Sequence, residues 1–511
     1  MKIIDCTLRD GGYYNNWFFS IRFINKYLKC IDNVEIKYCE LGFRFPRTDE
    51  AKGLTAYTDN NLLKKLIIPK KIQIGVMINA SDFIRNNNIK FSLLKKIFFN
   101  NEKIKFVRIA CHYQELFKIK KIVTFLKKNY VVMINLMQIS EINKTKLSKI
   151  SNIINSYKIK VFYVADSLGS LKPKEITEIV SYLKKKINCD LGIHAHDNLS
   201  LALCNTKAAI NNGANWADST ICGMGRGAGN LKTEIITKIY NRNRYKFLKK
   251  YINENFIFLK KKYKWGTNYY YRYAANYRIH PTYIQNLLGT YKNKHLDLKK
   301  IILNLKNINA KKYNPFNLFF SLNLFSEKEK KTFNFKKLFK NKRILILGSS
   351  NINKIKKKIE KEIKKKKLFV ITLNNNFYIN KKLQNLRVIC HPLRLLSLEA
   401  KNKNLNTPII APFSSIKRNI RTSIFSKKNK ILSYGLKLTT NNNLKIYKNY
   451  LSTNNPLALT YIFSLLYVSE IKQVYLSGFE GYQKDDFHKD NSDNILQYFK
   501  KKIRFKKLYL N

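Results

Sequence analysis

DLGIHAHDN, residues 190–198, is the stretch on which the fold turns. Asp190–His194 is short, apolar and without helical periodicity, so it reads as a buried strand. It ends on His194 and His196, two residues apart, whose side chains therefore leave a strand on one face. Working outward, the next apolar run downstream is Trp216–Ile221. Upstream lie Lys160–Ala165, Tyr130–Leu136, Lys105–Ala110, Ile72–Ile78, Glu35–Leu41 and Ile3–Thr7. These eight runs recur roughly every 25–35 residues, with Lys-studded amphipathic stretches between most of them. Residues 1–236 are thus predicted to form a parallel (β/α)8 barrel. Such barrels keep their chemistry where strands end, and Arg9-Asp10, Asn79, Asp166-Ser167, His194 and His196 stand there.

Beyond residue 236 the alternation stops. Residues 237–335 read as a helical extension and linker, with an aromatic cluster at Trp265–Tyr273, a break at His280-Pro281 and a charged stretch at Ser326–Lys340. From 342 to 511 the alternation returns, with strands expected at Arg343–Leu347, Leu368–Leu373, Leu386–Cys390, Pro408–Ala411 and Gln473–Leu476. This is the pattern of a separate Rossmann-like α/β domain. Its opening, ILILGSS at 344–350, could cradle a phosphate but lacks the G-x-G-x-x-G fingerprint. SGFEGYQKDD at 477–486 offers Glu480, Asp485 and Asp486, and looks like sugar-nucleotide-handling domains, so a nucleotide or nucleotide sugar is the partner expected there. The alternative is a surface loop on a scaffolding domain. Lys354–Lys367 carries Ile355, Ile359 and Ile363 at i, i+4 spacing, a helix with one buried stripe and a solvated basic face.

The 511 residues hold 98 Lys+Arg against 32 Asp+Glu, a net charge of +66. That excess would suit a nucleic-acid partner if it were concentrated beside stacking aromatics. Instead it is spread over nearly every helix and accompanies abundant Asn, Ile, Tyr and Phe, the signature of A/T-biased codons, so no nucleic-acid partner is expected. No apolar run reaches the roughly 18 residues of a membrane span, and Pro456–Val468 reads as a buried helix. The N-terminal MKIIDCTLRDGG has no secretory signal. Eight cysteines without a C-x-x-C pair argue against a disulfide scaffold or zinc ribbon, so a reduced cytoplasmic location is expected. Oligomerisation is left open.

Against this background the rare residues stand out. Only 18 glycines occur, yet Gly223, Gly225, Gly227 and Gly229 fall in one seven-residue window. They imply positive φ or a close approach to a ligand. Asp10 reaches the barrel mouth beside the paired histidines, because the first and seventh strands are close around the ring. Asp10, His194 and His196 would give a cation three ligands and leave positions open for substrate.

DCTLRDGG (5–12), ADSLG (165–169), GIHAHDN (192–198) and GMGRGAGN (223–230) together resemble the TIM-barrel superfamily called DRE-TIM metallolyases. That superfamily includes 4-hydroxy-2-oxovalerate aldolase, 3-hydroxy-3-methylglutaryl-CoA lyase, isopropylmalate and homocitrate synthases, and pyruvate carboxyltransferase domains. The likeness is greatest to aldolase-like proteins with an extra C-terminal domain that occur with polysaccharide biosynthesis functions. It implies that Asp10, His194 and His196 bind a divalent cation with Asn230 as a fourth ligand, Mn2+ favoured over Mg2+. It further implies a catalytic Arg9 and a Ser167 that holds the carboxylate of a 2-oxo acid, with an aldehyde as the second small molecule. Relatives carry a His or Gln three residues after the motif's aspartate. Here that place is Tyr13, which either acts as acid/base or merely lines the pocket. The implied reaction is cleavage or formation of a 4-hydroxy-2-oxo acid through a pyruvate enolate, in cell-surface polysaccharide or unusual sugar biosynthesis. The alternatives are an acyl-CoA Claisen condensation or lyase reaction and an idle barrel acting as scaffold. His112 is another candidate base, Asn79 and Arg108 are candidate substrate contacts, and Asp218, Cys6 and Cys39 read as packing residues.

Overall fold

The near-continuous apolar runs become strands buried on both faces, as a barrel wall requires. The computed structural model describes residues 1–46, 52–85, 88–98, 103–289, 296–325, 333–348, 352–374, 379–391, 394–395, 407–418, 421, 430–439, 444–454, 456–479 and 487–508. Its wall consists of β1 (Lys2–Asp5), β2 (Tyr38–Phe43), β3 (Gln73–Asn79), β4 (Ile104–Cys111), β5 (Val131–Leu136), β6 (Val161–Asp166), β7 (Asp190–Ala195) and β8 (Trp216–Ser219). Each is parallel to its neighbours in chain order, and β1 closes the ring on β8. Amphipathic helices cover the outside; helix Ile21–Asn33, for example, buries Ile24, Leu28 and Ile31 against the wall.

Strands β1 and β2 begin or end elsewhere than the sequence suggests, for local reasons. Glu35 lies at φ +62°, which no strand accommodates, so β2 starts at Tyr38 rather than at residue 35. β1 stops at Asp5, whose carboxylate accepts the Thr7 N–H at 3.0 Å and the Thr7 hydroxyl at 2.5 Å. That turn starts helix α1 (Thr7–Asn15), so Arg9 and Asp10 project from a helix rather than from a strand end.

The lumen is layered. Ile4, Phe106, Met133, Val161, Tyr163 and Trp216 form an apolar plug at the amino-terminal end. Room for its rings comes from glycine: a Cβ on Gly75 would lie 2.0 Å from the Phe106 ring. Above the plug the inward residues become polar.

The chain divides into two compact units, Met1–Gly289 with Asn309–Tyr313, and Thr290–Ile308 with Asn314–Asn511. Residues 237–335 are shared between them: helices Tyr245–Tyr251, Ile257–Tyr263, Tyr269–Ala275 and Pro281–Gly289 go with the barrel, Leu298–Asn307 and Pro315–Ser321 with the second unit. The returning strap Asn309–Tyr313 is bound by backbone carbonyls. Ala310 O accepts from His280 N at 3.0 Å, Lys311 O from Gln138 Nε2 at 2.6 Å and Lys312 O from the Tyr283 hydroxyl at 2.8 Å.

The second unit contains a seven-stranded all-parallel sheet. Its strands are β9 (Ile344–Leu347), β10 (Phe369–Leu373), β11 (Leu386–Val388), β12 (Ile409–Ala411), β13 (Ile431–Ser433), β14 (Gln473–Ser477) and β15 (Arg504–Lys507), ordered β13-β12-β11-β10-β9-β14-β15. This is a Rossmann-like sheet whose order reverses between β9 and β14. Gly348 and Gly478 meet there: a Cβ on Gly348 would fall 2.2 Å from the Gly478 carbonyl oxygen. Ser349, Ser350, Glu480, Asp485 and Asp486, the rest of the expected ligand loops, lie outside the described residues. Helix Ile352–Lys365 buries Ile359 and Ile363 and exposes Lys356, Lys357, Lys358, Lys361, Lys364 and Lys365, while helix Ala458–Val468 is buried from Ala458 to Leu466. No helix among the described residues is long and apolar enough to cross a membrane.

Candidate active site

At the carboxyl ends of the barrel strands, α1 and the loop after β8 bring together residues 220 positions apart. Asp10 sits in the first turns of α1, and His194 and His196 come from the end of β7 and the residue just beyond it. One donor atom from each of the three lies within 4.8 Å of the other two, and all three residues are buried. His194 Nε2 is 3.7 Å from Asp10 Oδ2, and the two imidazoles are nearly perpendicular. Asn230 bonds to Asp10 through its amide nitrogen, leaving its Oδ1 buried and without a hydrogen-bond partner. His196 Nδ1 is likewise buried and unsatisfied.

The glycine-rich loop makes this convergence feasible. Gly229 lies at φ +89° with a phantom Cβ 1.9 Å from the Gly223 carbonyl oxygen; a Cβ on Gly225 would stand 2.5 Å from Asn230 Nδ2 and 2.8 Å from Asp10 Oδ2. The loop is tied to the end of β7 by Asp197 N to Gly229 O at 2.7 Å and by the His196–Asn230 bridge.

Below the donors runs a buried ring of charges. Arg9 donates to Asp10 at 2.8 Å and through Nε to Glu40 at 2.6 Å. Arg108 lies 3.4 Å from Glu40 and grips both oxygens of Asp218, at 2.9 and 2.7 Å. Asp218 in turn holds His194 Nδ1 at 2.8 Å, which directs Nε2 toward Asp10. Burial alone would raise the Asp10 carboxyl, but Arg9, then the two histidines and the Asn230 amide, hold it below the usual carboxylate range. Burial, reinforced by His194, pushes the His196 imidazole well down, so it stays neutral and able to ligate.

These features fit a divalent cation: one anionic oxygen, two imidazoles and a spare amide oxygen converge with unsatisfied atoms among them. A second trio, Cys6, His194 and Asp218, is also within 4.8 Å. There, however, Asp218 is engaged by Arg108 and His194, and burial and Asp218 push the Cys6 thiol well up.

The remaining sequence expectations divide. Ser167, Tyr13 and Asn79 line the same cavity as Arg9, Asp10, His194 and His196. The Ser167 hydroxyl accepts the Gln138 N–H at 3.1 Å. Tyr13 packs edge-on against Trp17 and Phe43, and burial raises its phenol. Arg108 is no strand-end substrate contact: it lies inside β4, fully buried in the charge ring and stacked 4.2 Å from the Tyr163 ring. Asp218 is a positioning group rather than packing. His112 lies at the start of helix Tyr113–Leu116, its N–H bonded to Glu115 at 2.8 Å, and burial with Lys312 and Arg226 lowers its imidazole to about 4. Cys6 and Cys39 are core residues. Sequence reasoning missed Glu40, whose charge inside an apolar strand was the available signal. It also missed Arg226 in the glycine loop and Gln285, which bridges Gly227 N and Tyr13 O at 2.9 and 3.0 Å.

With its polar donors gathered at one end of eight parallel strands around a point fit for a divalent cation, the first unit is a lyase-type barrel. Residues 1–253 match the family model described as HMGL-like. The 4-hydroxy-2-oxovalerate aldolase 2 of Rhodococcus opacus is 34% identical over 246 residues, 47% of this chain and 69% of the relative. The 4-hydroxy-2-oxovalerate aldolase of Geobacillus thermodenitrificans is 28% identical over 245 residues, again 47% and 69%. Among solved structures, the N-terminal domain of a candidate aldolase from Bacteroides vulgatus superposes with a TM-score of 0.50 at 31% identity, over 56% of this chain and 96% of that one. The chain belongs to the HMGL-like family within the DRE-TIM metallolyases, and its barrel is an aldolase-type lyase.

Proposed function

We propose that the barrel cleaves or forms a 4-hydroxy-2-oxo acid through a pyruvate enolate, using a divalent cation, with Mn2+ preferred because two imidazoles join the oxygen donors. The observation that carries this is the convergence of Asp10, His194 and His196 within 4.8 Å, beside the unsatisfied Asn230 Oδ1. When bound, such a cation supplies Lewis acidity toward the keto and carboxylate oxygens of the oxo acid. Arg9, fixed by Asp10 and Glu40, stabilises the charge growing on the enolate oxygen. Ser167 orients the carboxylate. Tyr13, a phenol raised further by burial, carries its proton at neutral pH. In the condensation direction it can deliver that proton to the new 4-alkoxide.

The product's use in cell-surface polysaccharide or unusual sugar biosynthesis belongs to the same proposal, on the likeness to two-domain aldolase-like proteins. So does a cytoplasmic site of action, supported by eight cysteines all present as free thiols. The test is methyl exchange of pyruvate in D2O, followed by NMR. Exchange is expected with Mn2+, lost on chelation and lost in Asp10→Ala and His194→Ala. No exchange with any divalent metal would favour the acyl-CoA reaction or a scaffold role.

A further inference from the structure

Arg226 reaches the cavity that holds Asp10 and the two histidines, and among the described residues no carboxylate pairs with it. Its Nε is buried and has no hydrogen-bond partner. The guanidinium sits 5.6 Å over the Tyr13 ring, an arrangement that leaves its edge N–H groups available. Its place is fixed by the backbone around it. Gly227 N donates to Gln285 Oε1 at 2.9 Å, Gly227 O accepts the Tyr14 hydroxyl at 2.6 Å, and a Cβ on Gly227 would meet Pro281 at 2.5 Å. Gln285 also donates to Tyr13 O at 3.0 Å, so one side chain locks Arg226 and Tyr13 into a common frame.

Among the described residues the nearby acids are committed elsewhere: Asp10 to Arg9 and Asn230, and Asp82 to the Asn79 amide at 3.2 Å. The nearby imidazoles of His112, His196 and His280 are all driven toward neutrality by burial. A half-buried guanidinium without a counter-charge is unfavourable unless a ligand supplies one. Arg9 already serves the oxo-acid end, beside Asp10. Arg226 stands with Tyr13, the group proposed above to protonate the 4-alkoxide.

We propose that Arg226 selects an anionic second substrate: the carbonyl compound joined to pyruvate is an aldehyde bearing a carboxylate or phosphate, held by the Arg226 guanidinium. This rests on the aldolase reading. In the balanced step pyruvate C3 loses a proton and bonds to the aldehyde carbon. The carbonyl oxygen gains a proton, giving a 4-hydroxy-2-oxo acid with a second anionic group. Cleavage is the reverse.

The test uses the 511-residue, Mn2+-loaded chain with pyruvate and four aldehydes: acetaldehyde and glycolaldehyde as neutral members, glyoxylate and glycolaldehyde phosphate as anionic ones. The expected kcat/KM favours an anionic member by at least about tenfold, consistent with charge-assisted recognition. The preferred member identifies carboxylate or phosphate. Arg226→Gln is expected to collapse that ratio and Arg226→Lys to retain part of it. Equal use of neutral aldehydes, or an unchanged ratio in R226Q, overturns the proposal. So does a raised KM for pyruvate exchange in R226Q with aldehyde preference intact, which would place Arg226 on the oxo acid.

Calorimetric titration with inorganic phosphate and with acetate separates the two readings. Saturable binding weakened about tenfold in R226Q, without pyruvate exchange, upholds the anion site and sinks the aldolase reading. Absence of binding of either probe, with exchange intact, does the opposite.

Discussion

One inward step along the same strands separates two unlike interiors. On β4 the step runs from Phe106 to Arg108, on β8 from Trp216 to Asp218, and on β2 from Tyr38 to Glu40. The lower layer is held by apolar area, each ring contributing by what it displaces from water. In the upper layer, Glu40 and Asp218 each face two partners: Arg9 and Arg108, and Arg108 and His194. Area can be trimmed and repacked, but a shared charge cannot be removed without stranding its partners. Stability and site geometry should therefore separate in the lower layer and be inseparable in the upper one.

The largest effect is expected from Asp218→Leu. It strips Arg108 of its bidentate partner, leaving it only the 3.4 Å ionic contact with Glu40, and should lose about 3–5 kcal/mol in urea unfolding. The milder Asp218→Asn should weaken Mn2+ binding roughly 10–100-fold by calorimetry, because His194 loses its orienting carboxylate. Equal Mn2+ affinity in the wild type and Asp218→Asn would break the link between the ring and the metal donors. Next, Phe106→Leu should lose about 1–2 kcal/mol while the folded protein binds Mn2+ unchanged; a parallel fall in affinity would erase the distinction between layers. Gly225→Ala should act the other way, crowding Asp10 and Asn230 and weakening Mn2+ binding roughly tenfold, about 1.4 kcal/mol, with a smaller change in melting temperature. The smallest effect is expected on the exposed basic helix, where Lys357→Gln should stay within about 0.5 kcal/mol.

The contrast also explains what the sequence made legible. Barrel strands are buried on both faces, so most are near-continuous apolar runs, and all eight could be read without knowing their partners. His194 and His196 were legible because two residues apart on a strand means one face. The charge ring was not: Arg108 and Asp218 are 110 positions apart, and only the register of β4 and β8 within the closed barrel makes them meet. Gln285 was hidden for the same reason, since it reaches the glycine loop from a helix beyond the last strand. In the second unit β13 and β15 were overlooked because they are three- and four-residue edge strands among Lys and Asn, without an apolar run to mark them.

The strap Asn309–Tyr313 has a consequence for ancestry. The chain leaves the barrel, supplies Leu298–Asn307 to the other unit, returns for five residues and leaves again. Two modules joined by a single tether can be exchanged by one crossover between genes; these cannot. A recombination within residues 290–308 would take from the barrel the carbonyls that bind Gln138, Tyr283 and His280. A single crossover therefore cannot part the lyase barrel from the sheet domain without cutting into one of them.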